Sequence, residues 1–159
     1  ILGMPYLAFD VPKGAADKIG RFYQKVVGAP AAIEKKKGGA SAKVTVGHNQ
    51  HLYFNETDNV PAYDGHHIQI YLVNFSGPHR QLQDRGLVTE ESNQFQYRFK
   101  QIVDPDSNEP VYELEHEMRS ITHPLFARPF GLVNRNPDQT NRDYRPTLDP
   151  LPWGMPPEA

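Results

Sequence analysis

The sequence predicts an α+β fold made of two tandem βαβββ modules, followed by a carboxyl-terminal segment of a different kind. Three observations carry this prediction. Apolar and polar residues alternate with the two-residue period of a strand in several stretches of 4–119, an apolar stripe with helical spacing interrupts the alternation in each half, and the elements come in the same order twice. The first module spans about 4–57 and the second about 65–119.

The first module shows the pattern of a strand, a helix and three further strands. Residues 5–11 alternate as a half-buried strand does. A helix follows, and Gly28 is placed to end it as a C-cap. Gly38-Gly39 separates two short strands as in a hairpin, and a further strand covers 51–56. The apolar stripe of the helix comprises Ile19, Phe22, Tyr23, Val26 and Val27.

The second module repeats this order at a steady offset. Residues 67–72 form its first strand, and a helix that begins near Pro78 ends at Gly86. Tyr6 precedes His67 by 61 positions, and His51 precedes Glu113 by 62. The remaining strands are expected at 87–89, 95–103 and 111–118.

The last strand of the second module carries three acidic residues on one face. The turn sequence Asp104-Pro-Asp-Ser-Asn108 precedes it, and a strand period then puts Glu113, Glu115 and Glu117 on the same side. Three carboxylates on one face repel each other unless water, a cation or basic side chains compensate. The pattern therefore fits either a solvated face of the sheet or the lining of a cavity where a carboxylate holds a metal.

The composition excludes several classes of function. The net charge is −2, and the one basic run, Lys35-Lys36-Lys37, precedes two glycines as a hairpin end would, so no nucleic-acid partner is indicated. The chain has no cysteine, which excludes disulfides, thiolate zinc sites and a cysteine nucleophile. The lack of cysteine leaves the compartment open, with the cytoplasm as the default location. No apolar run reaches membrane-spanning length, so no membrane partner is expected.

Three segments together resemble the vicinal oxygen chelate superfamily, which includes glyoxalase I, extradiol dioxygenases and bleomycin-resistance proteins. Residues 22–28, FYQKVVG, are similar to the FYxxxLG helix end of that family. The turn 104–108 with Tyr112-Glu113-Leu114 is similar to its DPDGNxxEL signature, and Gly65-His66-His67-Ile68 to the strand that opens its second module. The resemblance implies a curved mixed sheet around a cavity, with the helices outside.

The resemblance also implies which residues carry chemistry. The family's metal-ligand positions fall here on Tyr6, His51, His67 and Glu113. Two imidazoles and one carboxylate, from His51, His67 and Glu113, would hold a divalent ion such as iron, manganese, nickel or zinc. Tyr6 replaces the usual ligand type, and Glu115 or Tyr6 would transfer protons to or from the substrate.

Three functions remain open at this point. The first is a metal-dependent lyase, isomerase or dioxygenase that acts on a small oxygenated substrate, as a homodimer. The second is a metal-free protein that binds a small molecule, as resistance proteins do, with the site residues held by Arg98, Lys100 or water. The third is a degenerate module whose role is assembly. The other histidines are predicted in loops or at the surface: His48, His79, His116 and His123.

The final forty residues differ in kind from the two modules. Residues 120–159 contain eight of the fifteen prolines, which argues against regular secondary structure. They also contain large apolar side chains such as Phe126, Phe130 and Trp153, which are unusual in a solvated tail. The segment is therefore predicted to be an extended arm, named the C-terminal arm below, that packs on its own domain or on a partner subunit.

Overall fold

A computed structural model describes residues 4–123 and 125–126 of the chain, and these residues form an α+β fold. The order of elements confirms the predicted tandem βαβββ repeat. A π-helical segment, Tyr23–Val27, continues the first helix. The elements are β1 (Tyr6–Pro12), α1 (Ala15–Phe22), β2 (Ala31–Lys36), β3 (Gly39–Gly47), β4 (Gln50–Thr57), β5 (His67–Leu72), α2 (Ser76–Asp84), β6 (Val88–Asn93), β7 (Gln96–Val103) and β8 (Pro110–Ser120).

Each module forms its own four-stranded sheet, and the two sheets have equivalent topologies. Sheet 1 has the strand order β1-β4-β3-β2 and sheet 2 the order β5-β8-β7-β6. In each sheet the first and last strands of the module pair in parallel, and the other pairs are antiparallel. Helix α2 begins two residues before Pro78, which therefore still lies in the first turn, where its missing N–H costs nothing.

The apolar faces of both sheets share one core around α1. This helix packs against β1, β3 and β4 of sheet 1 and against β7 and β8 of sheet 2. Its fully buried Phe22 lies 5.8 Å from the ring of Phe99, and Tyr23 lies 5.5 Å from the ring of Phe54. Because side chains alternate along a strand, the polar faces of both sheets are turned away from this common core.

Helix α1 begins after Gly14, and the π-helical segment that continues it ends at Gly28. Gly14, at its start, has no side chain to cap the helix, and the carboxylate of Glu56 on β4 accepts hydrogen bonds from the backbone N–H groups of Ala16 and Ala40, each at 3.0 Å. Partial burial raises the pKa of Glu56, but the backbone donors outweigh it and lower the pKa overall. Gly28 has a φ of 80° and ends the helical segment, as predicted.

A buried polar pair joins the two modules inside the core. The Nδ1–H of His116 donates to the carbonyl of Leu114 at 2.7 Å, which leaves Nε2 to accept from the hydroxyl of Tyr23 at 2.6 Å. The imidazole stacks on Phe99 at 4.2 Å, and burial lowers its pKa to about 3. The prediction that His116 lies in a loop or at the surface was wrong, because its strand face turns into the core.

Ion pairs tie the turn before β8 to α1. Asp104 lies 3.5 Å from Lys18 and 3.4 Å from Arg21, and Asp106 lies 2.8 Å from Lys25 and also contacts Arg21. Asp104 is largely buried, with 12% of its side chain exposed, whereas Lys25 and Asp106 are more than half exposed. The exposed pair of Lys25 with Asp106 is therefore worth at most about 1 kcal/mol. The pairs of Asp104 hold the turn against α1.

Candidate functional site

The polar face of sheet 2 carries an ordered charge network. Glu113 on β8 lies 2.6 Å from Lys100 on β7, and Glu115 lies 2.8 Å from Arg98. The hydrogen bond to Glu113 raises the pKa of Lys100. Partial burial lowers the pKa of Arg98, but the bond to Glu115 and the nearby carboxylates outweigh it and raise the pKa overall. The repulsion between these carboxylates is thus relieved by basic side chains.

Glu117 is the most buried member of the network. Its side chain is 6% exposed and lies between two guanidinium groups, at 2.5 Å from Arg98 and 2.6 Å from Arg119. Arg119 is held in turn by Gln96, whose Oε1 accepts from Nε at 2.9 Å, and by the hydroxyl of Tyr71 at 3.3 Å. The charge-assisted hydrogen bonds offset part of the cost of burying the carboxylate of Glu117.

A groove of about 770 Å³ lies over one end of this network and is named the sheet-2 groove here. Its volume lies in the range of small-molecule sites in proteins, roughly 300–1,000 Å³. The β6–β7 hairpin forms one side, and the residues that follow β8 form the other. The lining of the groove includes the side chains of Glu90, Phe95, Arg98, Glu117, Arg119 and His123.

Three of the predicted site residues lie together at a different place. Tyr6, His51 and His67 line a smaller depression of about 260 Å³, which is bordered by β1, β4 and β5. Glu113 is not among its lining residues. Tyr6 and Glu115, the two predicted proton-transfer residues, lie on different sheets. The depression therefore gathers part of the predicted set, and the roles of these residues stay predictions.

Strand register indicates which acidic residue corresponds to His51. Tyr6 pairs with His51 across β1 and β4, and the equivalent pair across β5 and β8 is His67 with Glu115. Glu113 precedes this pairing and lies opposite Gln101 on β7. The offset of 61–62 positions between the two modules could not show this pairing, because a constant offset assumes that both modules have strands and loops of equal length. Glu115 therefore lies opposite His67 as His51 lies opposite Tyr6, and the role of Glu113 as a metal ligand stays a prediction.

The donor set does not fit a metal ion as it is arranged. Basic side chains compete with a metal for the carboxylates of Glu113 and Glu115, because Oε1 of each is paired with Lys100 or Arg98. Within residues 4–123 and 125–126, no three His, Asp or Glu side chains gather closely enough to hold a metal. At Glu115, a metal would compete with Arg98 for the carboxylate, whose Oε1 already accepts from the guanidinium.

Sequence reasoning missed several residues near the polar face. Tyr63, from the linker between the modules, lies with its ring 4.6 Å from the ammonium of Lys100 and donates its hydroxyl to the carbonyl of His66. Burial, followed by the charge of Glu115, raises the pKa of Tyr63. His123 is buried, and burial followed by Arg119 lowers its pKa. No periodic pattern marks these residues, because they lie outside the regular strands.

Comparison with solved structures confirms the predicted resemblance at the level of the fold. A protein assigned to the glyoxalase family from Bacillus anthracis matches with a TM-score of 0.56 and 18% identity, over 76% of this chain and 95% of that chain. The fosfomycin resistance protein FosX from Listeria monocytogenes matches with a TM-score of 0.51 and 12% identity, over 75% and 91%. TnmS3, an antibiotic-binding protein from Streptomyces sp. CB03234, matches with 0.50 and 18%, over 76% and 98%.

These likenesses show that the chain shares the fold of a glyoxalase-family protein, a fosfomycin resistance protein and an antibiotic-binding protein, and a shared fold does not fix the function. No protein-family model and no curated protein matches the sequence. Among the described residues, no helix is long and apolar enough to cross a membrane. The homodimer and the cytoplasmic location stay predictions. The predicted C-terminal arm lies outside the described residues from 127 onward.

Proposed function

We propose that this chain binds a polar small molecule in the sheet-2 groove and that binding needs no metal ion. The observation that carries the proposal is the pairing of each acidic side chain of β8 with a basic one: Glu113 with Lys100, Glu115 with Arg98, and Glu117 with Arg98 and Arg119. The sequence alternatives differ on this point, because only the metal-free alternative expects these carboxylates to be held by Arg98 or Lys100.

The groove offers both donors and acceptors to a ligand. Guanidinium N–H groups of Arg98 and Arg119 and the carboxylate of Glu90 lie beside the rings of Phe95 and His123. A ligand with hydroxyl or carbonyl groups on an apolar ring or chain would hydrogen-bond to the charged side chains and pack against the aromatic rings. The charges of the network nearly balance, so the groove favours a neutral or zwitterionic molecule over a strongly charged one.

A metal-dependent enzyme is the second candidate, and one observation favours it. Tyr6, His51 and His67 share a depression, and His67 lies opposite Glu115 in the same register as Tyr6 and His51. A bound metal would polarise a substrate oxygen. For these residues to hold it, Glu115 would have to offer its second oxygen, because Oε1 is bonded to Arg98.

Fragment screening by NMR tests the proposal. The full chain, kept in excess chelator, is titrated with a library of small oxygenated compounds, and amide shifts locate each hit. We expect hits to cluster at Phe95, Arg98 and Arg119, and to weaken about tenfold or more in Arg119→Met, because one lost charged hydrogen bond costs about 1.5–3 kcal/mol.

The matched control is Lys43→Met on the polar face of sheet 1, which should leave the hits unchanged. An amide spectrum of each variant verifies that it is folded. Hits that appear only after zinc is added, and that perturb His51 and His67, would favour the second candidate. Hits that avoid both sites would overturn the proposal.

A further inference from the structure

A second cavity lies between helix α2 and the β6–β7 hairpin, and it is named the α2 cavity here. Its volume is about 400 Å³, which falls within the range of small-molecule sites in proteins. Phe75 and His79 line it from the helix side, and Glu91 and Tyr97 line it from β6 and β7. Residues 93–94 of the hairpin border both this cavity and the sheet-2 groove, so the hairpin separates the two spaces.

Tyr97 carries a buried hydroxyl at the wall of this cavity. The residue is 1% exposed and lies opposite the buried Met118 on the apolar face of sheet 2. Within the part of the chain that the structure describes, no group hydrogen-bonds to this hydroxyl. Burying it costs free energy that a phenylalanine of the same shape would not cost, because its hydrogen bonds to water are lost on folding. Burial also raises the pKa of Tyr97, so the hydroxyl keeps its proton and can donate it to an acceptor.

Aromatic rings form the apolar part of the cavity wall. The ring centroid of Tyr97 lies 4.9 Å from that of Phe75 and also 4.9 Å from that of the His79 imidazole. All three residues line the cavity. Aromatic side chains bind flat partners through offset-stacked or edge-to-face contacts. The α2 cavity therefore favours a small planar molecule.

A carboxylate supplies the charge of the cavity. Oε1 of Glu91 accepts a hydrogen bond from Nε2 of His79 at 2.6 Å. This bond uses one of the two oxygens, and a carboxylate can accept several hydrogen bonds. The lining contributed by the described residues contains no Lys or Arg, whereas Arg98 and Arg119 line the sheet-2 groove. A neutral ligand with an N–H donor therefore suits the cavity better than an anion does.

We propose that the α2 cavity binds a small aromatic carboxamide. The carbonyl oxygen of the amide accepts a hydrogen bond from Tyr97 and the N–H group donates to Glu91, while the ring packs against Phe75 and His79. An amide suits these two protein groups because it combines an acceptor and a donor in one plane. The site lies outside the sheet-2 groove, and the proposal does not rest on the function proposed there.

Three probes of nearly equal shape test this assignment: benzamide, acetophenone and benzoate. Acetophenone keeps the carbonyl and lacks the N–H group, and benzoate replaces that donor with a negative charge. Each probe is titrated into the full chain, and amide shifts in NMR spectra give both the location and the Kd. We expect benzamide to perturb Phe75, His79 and Tyr97 with a Kd of about millimolar or below. Acetophenone and benzoate should bind about tenfold more weakly, because each loses the hydrogen bond to the charged Glu91.

Two substitutions separate the contacts of the amide. Tyr97→Phe removes only the hydroxyl and should weaken benzamide about fivefold, while the free energy of unfolding does not fall. Glu91→Ala should abolish the preference for benzamide over acetophenone. Tyr53→Phe on the polar face of sheet 1 is the matched control and should leave benzamide binding unchanged. Arg119→Met in the sheet-2 groove should also leave it unchanged.

Several results would overturn the proposal. Benzamide that binds equally to the wild type and to Tyr97→Phe would do so, as would the lack of saturable binding. Shifts that cluster at Arg119 and Leu125 would assign the probe to the sheet-2 groove instead. A loss of stability in Tyr97→Phe would mean that the hydroxyl already has a structural partner. Because Arg119→Met is expected to weaken only the ligands of the sheet-2 groove, this proposal and the proposed function can fail separately.

Discussion

Removing the Tyr23 hydroxyl should destabilise the protein, because this hydroxyl donates a hydrogen bond to the buried imidazole of His116. Tyr23→Phe keeps the ring and leaves Nε2 of His116 without a donor in a fully buried site. A buried polar group left without its partner costs about 1–3 kcal/mol, so the free energy of unfolding should fall by that amount. Urea unfolding followed by circular dichroism measures the change.

A double substitution separates the hydrogen bond from simple packing. Tyr23→Phe combined with His116→Phe removes both polar groups, and no orphaned atom remains in the core. The loss for the double variant should therefore be smaller than the sum of the two single losses by about 1–3 kcal/mol. Strict additivity would refute the claim that this pair couples the two modules.

The same histidine predicts how stability depends on pH. Burial lowers the pKa of His116 to about 3 in the folded chain. Between about pH 6.5 and pH 3 the imidazole is therefore protonated in the unfolded chain and neutral in the folded chain. Stability should then fall with decreasing pH by up to about 1.4 kcal/mol per pH unit from His116 alone. His116→Phe should remove this part of the slope between about pH 6.5 and 5. An unchanged slope in the variant would refute the reasoning.

Two further substitutions test the charge network and the cap of α1. Arg98→Met should lower the free energy of unfolding by about 2–3 kcal/mol, because the buried carboxylate of Glu117 loses one of its two partners. Glu56→Ala should cost about 1–2 kcal/mol and speed amide exchange at Ala16 and Ala40, whose N–H groups it accepts from. Urea unfolding and hydrogen-exchange NMR measure these effects.

The expected controls follow from the same contacts. Lys100→Met removes a partner of the half-exposed Glu113 and should cost less than about 1 kcal/mol. Glu56→Gln keeps an acceptor oxygen and should retain part of the cap. Equal losses in Arg98→Met and Lys100→Met would argue against a special role for burial at Glu117, and unchanged exchange in Glu56→Ala would argue against the cap.

The fold was readable from the sequence because its signals are local. A two-residue alternation marks most strands, and Gly28 marks the end of the first helical segment, where φ is 80°. The prediction for β6 covered only 87–89 and was too short. The residues from Glu90 to Asn93 are polar and exposed, so no alternation of apolar and polar residues marks them as a strand. The repeated order of elements predicted the two tandem modules, but the strand order within each sheet was not predicted from the residues.

The site was only partly readable, because it depends on contacts between distant residues. Alternation correctly put Glu113, Glu115 and Glu117 on one face and named Lys100 as a possible partner of Glu113. It could not give the parallel register that sets Glu115 against His67. Alternation also did not predict the burial of His116. The sequence around a histidine does not show whether its hydrogen-bond partner is a buried side chain such as Tyr23 or water.

Metal titration of the full chain tests the central claim most directly. Chelator-treated protein is titrated with manganese, zinc, nickel and ferrous ions by calorimetry, with His67→Ala and Glu115→Ala as reference variants. Because the carboxylates of Glu113 and Glu115 are held by Lys100 and Arg98, we predict no binding tighter than about millimolar for any ion, which is about −4 kcal/mol. Stoichiometric binding near micromolar or tighter, lost in both variants, would contradict the account and establish a metal centre.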